Sequence, residues 1–213
     1  MEFKRLLEIV GDEPVFETSL LLAGDVAPAG VRRQLSRWTK AVRLYQLRRG
    51  LYALAPPFQK VKPHPFLIAN HMVHASYVSR QSALAYYGLI PEIVPVITSV
   101  TTARPGRRET VLGVYEFRHV KVGLLFGYQL TDLGGGQKAF VATPEKALLD
   151  LIYLQPGGDA PDYLRELRLQ NLERLNPDVL RQQADRTGSP RLQQAVRFVV
   201  ELGRTEAQEY ETL

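Results

Sequence analysis

The chain has 213 residues, of which 45% are hydrophobic, so a packed globular core is expected and wholesale disorder is not. It contains no cysteine, which excludes disulfide bonds and thiolate metal sites. No apolar run approaches the roughly 20 residues of a membrane span, and the N-terminus has no apolar stretch long enough for a signal peptide. We therefore expect a cytoplasmic protein with one large domain or two smaller ones.

The net charge of +5 is unevenly distributed along the chain. Residues 1–25 carry two basic and six acidic side chains, residues 26–91 carry ten basic and no acidic side chains, and residues 92–213 carry 15 basic and 16 acidic side chains. A basic segment of that length fits contact with a polyanion, because each phosphate neutralised by Lys or Arg releases condensed counterions. Chance clustering in an arginine-rich protein is the alternative.

Three helices and a hairpin are predicted near the N-terminus. Apolar side chains recur at helical spacing over residues 2–10, and Gly11 follows as a stop signal. A second, short helix is predicted after a Thr18 cap and before Gly24. Pro28 suits the first turn of a third helix, where its missing N–H costs nothing.

The stretch from Pro28 to Leu54 is the most informative part of this region. Val31, Leu35 and Trp38 fall on one helical face, and the basic side chains fall away from it. Two strand-like runs, RLYQL and LYAL, follow and are joined by an Arg-Arg-Gly turn. A helix followed by a basic hairpin is the outline of a winged helix-turn-helix.

This outline predicts a DNA-binding surface. An α-helix fits the major groove of B-form DNA, where Arg reads guanine and Ser contacts base edges or phosphate. Residues on the early turns are predicted to meet bases, and later cations and the hairpin tip are predicted to meet phosphate or the minor groove. The predicted DNA-binding residues are Arg32, Arg33, Ser36, Arg37, Lys40, Arg43, Arg48 and Arg49. A basic face that is merely solvated is the alternative.

A proline-rich linker is predicted to divide the chain. Four prolines fall within residues 56–65, a density that excludes a helix interior or a central strand. We therefore predict a winged-helix domain at 1–56, a linker at 57–65 and a second domain at 66–213.

The second domain is predicted to contain both strands and helices. Ser79 is expected to cap a helix, and VITSVTT, TVLGVYEFRHV, LLFGYQL and KAFVA read as strands. Thr143 is a predicted cap of an apolar helix, and the chain reads as helical from Pro161 onward. The predicted fold class is α+β: a winged helix followed by a mixed domain with an antiparallel sheet and a helical C-terminal part.

No catalytic or cofactor motif is present. The triple glycine before Gln137 and Lys138 lacks the P-loop frame, and a strand rather than a helix is predicted after it. Glu145 and Lys146 are adjacent on one helix and point differently, so they set up no acid/base pair. We therefore predict no enzymatic activity, no metal site and no cofactor. A nucleic-acid enzyme is the disfavoured alternative, because no carboxylates cluster in the sequence.

Several segments resemble the AbiEi family of antitoxins. QLSRWTKAVRLYQLRRGLYALAP resembles the end of the family's N-terminal winged-helix domain. YVSRQSALAYYGLIPE, VITSVTT, FRHVKVGLLFGY and VATPEKALLDLIYL resemble its second domain and occur in the family's order. The resemblance covers roughly residues 3–155 and does not extend to the helical tail.

The resemblance implies an antitoxin of a type IV toxin–antitoxin system. Such an antitoxin counteracts a nucleotidyltransferase-like toxin without needing a stable complex with it, and represses its own operon by binding inverted repeats in double-stranded DNA. The N-terminal domain would bind the operator and the C-terminal domain would carry antitoxicity. A monomer in solution or a dimer on DNA is expected, without membrane association.

The resemblance gives no residue-level assignment for antitoxicity. Four basic positions around the central strands are weak candidates for that surface: Arg104, Arg107, Arg108 and Arg118. A stand-alone winged-helix transcriptional regulator, whose C-terminal domain dimerises or senses a ligand, is the alternative function.

Overall fold

The computed structural model describes residues 1–23 and 26–211, with side chains described for 1–23 and 26–204. This part of the chain contains α-helices and two β-sheets. The helices are α1 (Phe3–Val10), α2 (Pro28–Lys40), α3 (Pro65–Met72), α4 (Arg80–Tyr86), α5 (Pro144–Leu154), α6 (Pro161–Glu166), α7 (Pro177–Thr187) and α8 (Pro190–Glu211). The strands are β1 (Phe16–Glu17), β2 (Leu44–Arg48), β3 (Leu51–Leu54), β4 (Ser76–Val78), β5 (Val96–Thr101), β6 (Gly106–Thr110), β7 (Gly113–His119), β8 (Tyr128–Asp132) and β9 (Lys138–Ala142). The structure is therefore of the mixed α+β class.

The N-terminal elements form a three-stranded antiparallel sheet, in the order β1-β3-β2, covered by α1 and α2. The predicted second helix is a 3₁₀ segment, Thr18–Leu22, that follows β1 directly. The prediction of a Thr18 cap is wrong, because its hydroxyl donates to the carbonyl of Gly50 at 3.3 Å instead. Gly24, the predicted end of this helix, lies outside the described residues.

Strand β3 of the hairpin β2–β3 is buried on both of its faces. Successive residues of a strand point to opposite sides. Tyr52 and Leu54 therefore join the core beneath α1 and α2, whereas Leu51 and Ala53 join the core of the C-terminal half, together with Leu47. The proline-rich segment separates two sets of elements, but the hairpin belongs to both hydrophobic cores.

A six-stranded sheet, in the order β6-β7-β5-β4-β9-β8, is the centre of the second half. The pairs β4–β5, β6–β7 and β8–β9 are antiparallel, but β5–β7 and β4–β9 are parallel. The prediction of an antiparallel sheet is wrong for these two pairings. Each antiparallel pair of this sheet joins strands that are consecutive in the chain, whereas each parallel pair joins strands that are not consecutive, and local sequence does not specify such pairs.

Helix α5 begins as predicted but carries an unexpected buried ion pair. The Thr143 hydroxyl accepts from the Lys146 amide at 3.4 Å and caps the helix. Lys146 Nζ pairs with Asp150 Oδ1, and both side chains are 3% exposed. The other carboxylate oxygen, Oδ2, accepts from Tyr77 Oη at 2.9 Å and from Ser79 Oγ at 2.7 Å. The prediction that Ser79 caps α4 is therefore wrong, because its side chain donates to Asp150 instead.

The C-terminal part is helical from Pro161, as predicted, and each of α6, α7 and α8 begins with proline. Apolar residues of these helices, including Leu164, Leu180 and Val196, complete the core around α5. Across the described ranges, no helix is both long enough and apolar enough to span a membrane.

Replacement of Asp150 by Asn is expected to lower the free energy of unfolding by about 3–5 kcal/mol, because it leaves the Lys146 ammonium buried without a counter-charge. Urea denaturation followed by circular dichroism measures this change. The matched double variant, Asp150→Asn with Lys146→Met, keeps an acceptor for Tyr77 and Ser79 and should recover more than half of the loss. Equal losses in the single and double variants would contradict the assigned role of the ion pair.

Candidate nucleic-acid interface

Helix α2 has one face fixed inward by packing. Val31, Leu35 and Trp38 are buried, and the Trp38 ring meets Phe3 of α1 edge to face, with centroids 5.3 Å apart. The helix ends sharply because Val42 adopts a left-handed conformation with φ 53°. These contacts determine which side of α2 faces outward.

The outward face of α2 presents a stripe of cations. Arg33, Arg37 and Lys40 are exposed at i, i+4 and i+7 and span about 10 Å along the helix axis. Arg32 and Ser36 are exposed beside them. Among the residues that the structure describes, no acid lies within ion-pair distance of these cations. All five predicted DNA-binding positions of α2 are therefore brought together on one surface.

The hairpin adds two further exposed arginines. Arg49 is exposed at its tip, where Gly50 makes the turn with φ 85°. Arg43 lies at the other end of the hairpin, with its guanidinium carbon 5.0 Å from the centroid of the Phe3 ring. Neither arginine forms an ion pair within the described part of the chain.

Arg48 is turned inward, unlike its neighbour at the tip. The pairing of β2 with β3 shifts register between Gln46 and Arg48, and such a bulge re-aims the side chains next to it. Arg48 Nη2 donates to Glu17 Oε1 at 2.8 Å, and Arg48 Nε donates to the His71 carbonyl at 3.2 Å. The side chain is only 20% exposed, so its guanidinium is used within the chain.

Most of the cations in the acid-free segment, residues 26–91, form no ion pair. Two of its ten cations pair with acids from the N-terminal segment, Arg48 with Glu17 and Lys60 with Asp12 at 2.9 Å. The other eight cations form no ion pair with any described residue. The basic character read from the sequence is therefore retained in the folded chain.

The four weak candidates for an antitoxicity surface do not form one patch. Arg104 precedes β6, and Arg107 and Arg108 follow each other on it, so their side chains point to opposite faces. Arg107 pairs with Glu109 at 3.2 Å, while Arg118, on β7, pairs with Glu116 at 3.0 Å. Two of the four cations are therefore partly neutralised within the chain.

Two polar features of the second half were missed by the sequence reasoning. Lys146 and Asp150 are four residues apart on a largely apolar helix, a spacing that was available as a signal for their ion pair. Arg80 is 5% exposed on α4, and nothing in its sequence context distinguishes it from a solvated arginine.

The histidines of α3 and the following loop take part in the Arg48 contacts. His74 Nε2 lies 3.5 Å from Glu17 Oε1 and 3.3 Å from Arg48 Nη2. Burial lowers the pKa of His71, which favours its neutral form. In the described portion of the chain, no three His, Asp or Glu residues are grouped so that they could hold a metal ion.

No protein-family model and no curated protein matches this sequence. Membership of the AbiEi family therefore stays a prediction from the sequence.

Arg48 and Arg49 are expected to respond differently to truncation. Arg48→Ala should lower the free energy of unfolding by about 1–3 kcal/mol, because it removes charge-assisted hydrogen bonds to Glu17 and His71. Arg49→Ala should leave stability unchanged. If the tip contacts a phosphate, Arg49→Ala reduces the slope of log affinity for DNA against log salt by about one. Thermal unfolding and binding to duplex DNA over a salt series measure both effects, and the opposite pattern would contradict the placement of these side chains.

Proposed function

We propose that this protein is a DNA-binding antitoxin of a type IV toxin–antitoxin system that represses its own operon. The DNA-binding half of the proposal is carried by one observation, the stripe of unpaired cations on the outward face of α2. A cationic helix face with no acid to neutralise it is complementary to the phosphate-lined major groove.

The order of the N-terminal elements supports a winged helix-turn-helix. A helix, a short strand, a helical turn, a second helix and a two-stranded hairpin follow one another, and the first strand pairs with the last. In that arrangement α2 is the recognition helix and β2–β3 is the wing. The packing of Trp38 and Leu35 leaves the opposite side of α2 free to enter a groove.

The position of each exposed cation on α2 or the hairpin indicates which part of the DNA it would contact. Arg33 and Arg37 are positioned to read guanine edges, and Lys40 and Arg43, further along, to contact phosphates. Arg49 reaches the flanking backbone or minor groove from the wing tip. Two copies on an inverted repeat would give specificity through the spacing of the half-sites.

The antitoxin half of the proposal rests on the resemblance of the second domain to the AbiEi family. The shared core around the hairpin supports treating the two parts as one working unit, because Leu47 and Leu51 of the hairpin pack among residues of the second domain. Repression and antitoxicity would then be carried by a single rigid protein.

Arg33→Ala and Arg37→Ala are each expected to weaken binding to the cognate operator by about 1–3 kcal/mol, because a base contact is lost. Lys40→Ala should weaken binding to all duplexes about equally, because a phosphate contact carries no sequence information. Mobility shifts on the protein's own promoter, with a scrambled duplex beside it, measure both effects. Arg5→Ala, which removes an exposed cation that pairs with Glu8, is the matched control. Unchanged binding in a triple Arg32, Arg33 and Arg37 variant would refute the groove assignment.

Co-expression with the gene directly downstream tests the antitoxin function. If that gene encodes a nucleotidyltransferase-like toxin, the full chain should restore growth, and the Arg33→Ala/Arg37→Ala variant should restore it equally when both proteins are made from unrelated promoters. Retained operator binding without any rescue of growth would favour the stand-alone regulator instead.

A further inference from the structure

Arg80 is a buried cation without a partner. Arg80 is 5% exposed. Its Nε is inaccessible to solvent and has no hydrogen-bond acceptor. No hydrogen bond or ion pair to its guanidinium forms within the described residues. Burial of an unpaired charge is unfavourable, so this arginine calls for an explanation beyond packing.

The backbone holds Arg80 in this position at a conformational cost. Arg80 has φ 56°, in the left-handed region where a β-carbon is crowded. The preceding residue, Ser79, is clamped on both sides: its amide donates to the Thr98 carbonyl at 3.0 Å, and its carbonyl accepts from Thr98 Oγ1 at 2.7 Å. Strain of this kind persists where the surrounding structure enforces it, and it is concentrated at ligand sites.

The strand register brings a second arginine to the side of the sheet where Arg80 lies. Thr98, whose side chain contacts Ser79, pairs with Glu116 of β7, and Arg118 lies two residues further along the same face. Burial and Arg118 lower the pKa of Arg80, whereas Glu116, Tyr163 and Asp150 raise it. Both carboxylates already pair with other cations, Glu116 with Arg118 and Asp150 with Lys146, so neither is left to neutralise Arg80.

We propose that Arg80 and Arg118 form a binding site for a small phosphate-type oxyanion. Such an anion would accept hydrogen bonds from the unpaired Arg80 guanidinium and balance the second positive charge. The planar fork of arginine matches the oxygens of a phosphate group. Inorganic phosphate and the phosphate group of a nucleotide share this chemistry. A duplex backbone fits less well, because only a small ligand reaches a side chain that is 5% exposed.

This site is separate from the cation stripe on α2 and does not depend on the proposed function. Arg80 belongs to the acid-free segment of the sequence, yet its burial removes it from the surface that faces DNA. A ligand bound here would contact β7 and the start of α4.

The test is a thermal unfolding series of the full chain in sodium phosphate, sodium pyrophosphate or a nucleoside monophosphate, against sodium chloride at matched ionic strength. We expect a saturable, anion-specific rise in Tm for the unmodified protein. Arg80→Asn should abolish it, because asparagine tolerates a positive φ but brings no cation. Arg118→Gln should weaken binding about tenfold, the loss expected for one charge-assisted hydrogen bond. Arg5→Gln, which removes an exposed arginine that pairs with Glu8 outside the six-stranded sheet, is the matched control and should keep the rise.

The absence of any anion-specific rise in the unmodified protein would overturn the proposal. So would an equal rise in Arg80→Asn, since the anion would then bind other cations. Tighter binding of the nucleoside monophosphate than of inorganic phosphate identifies a nucleotide ligand, and the reverse identifies the free anion. If Arg80→Asn loses operator affinity but keeps the full anion-specific rise in Tm, Arg80 contacts DNA and the small-ligand site is refuted.

Discussion

The burial of strand β3 on both of its faces is the constraint on which the rest of the structure depends. Tyr52 and Leu54 complete one core, and Leu51 and Ala53 complete the other, so four consecutive residues of β3 have no solvent-facing side. The orientation of α2 is thereby linked to that of the six-stranded sheet. Helix α2 is therefore positioned by both halves of the chain and not by the three-stranded sheet alone.

The charged side chain of Arg48 adds to the apolar contacts that hold the hairpin between the two cores. The bulge in β2 places Arg48 opposite Leu51, on the side of the hairpin that faces the second core. The guanidinium then joins β1, through Glu17, to the end of α3, through the His71 carbonyl. A single side chain connects three separate segments, whereas the neighbouring Arg49 is exposed. Adjacent arginines in the sequence therefore lie in different environments.

Periodicity and capping signals were enough to predict the elements that depend on local sequence. Helix α2, the hairpin, the Thr143 cap and the helical tail follow from residue spacing, proline position and one capping hydroxyl. The parallel pairings, the inward turn of Arg48 and the burial of Arg80 depend on contacts between residues distant in sequence. In the predicted interface, the five positions on α2 could be placed from sequence because one helical face was clearly apolar. The bulge between Gln46 and Arg48, next to which Arg48 turns inward, gave no such signal.

The shared hairpin also has a consequence for the order of events during synthesis. The chain leaves the ribosome N-terminus first, and the β2–β3 face that carries Leu47 and Leu51 then lacks most of the apolar residues that will cover it. Helix α3, which packs against β2, is made later. The hairpin therefore reaches its final burial only after α3 has been translated. The orientation of α2 is then fixed together with the first helix of the second half, rather than by the N-terminal elements alone.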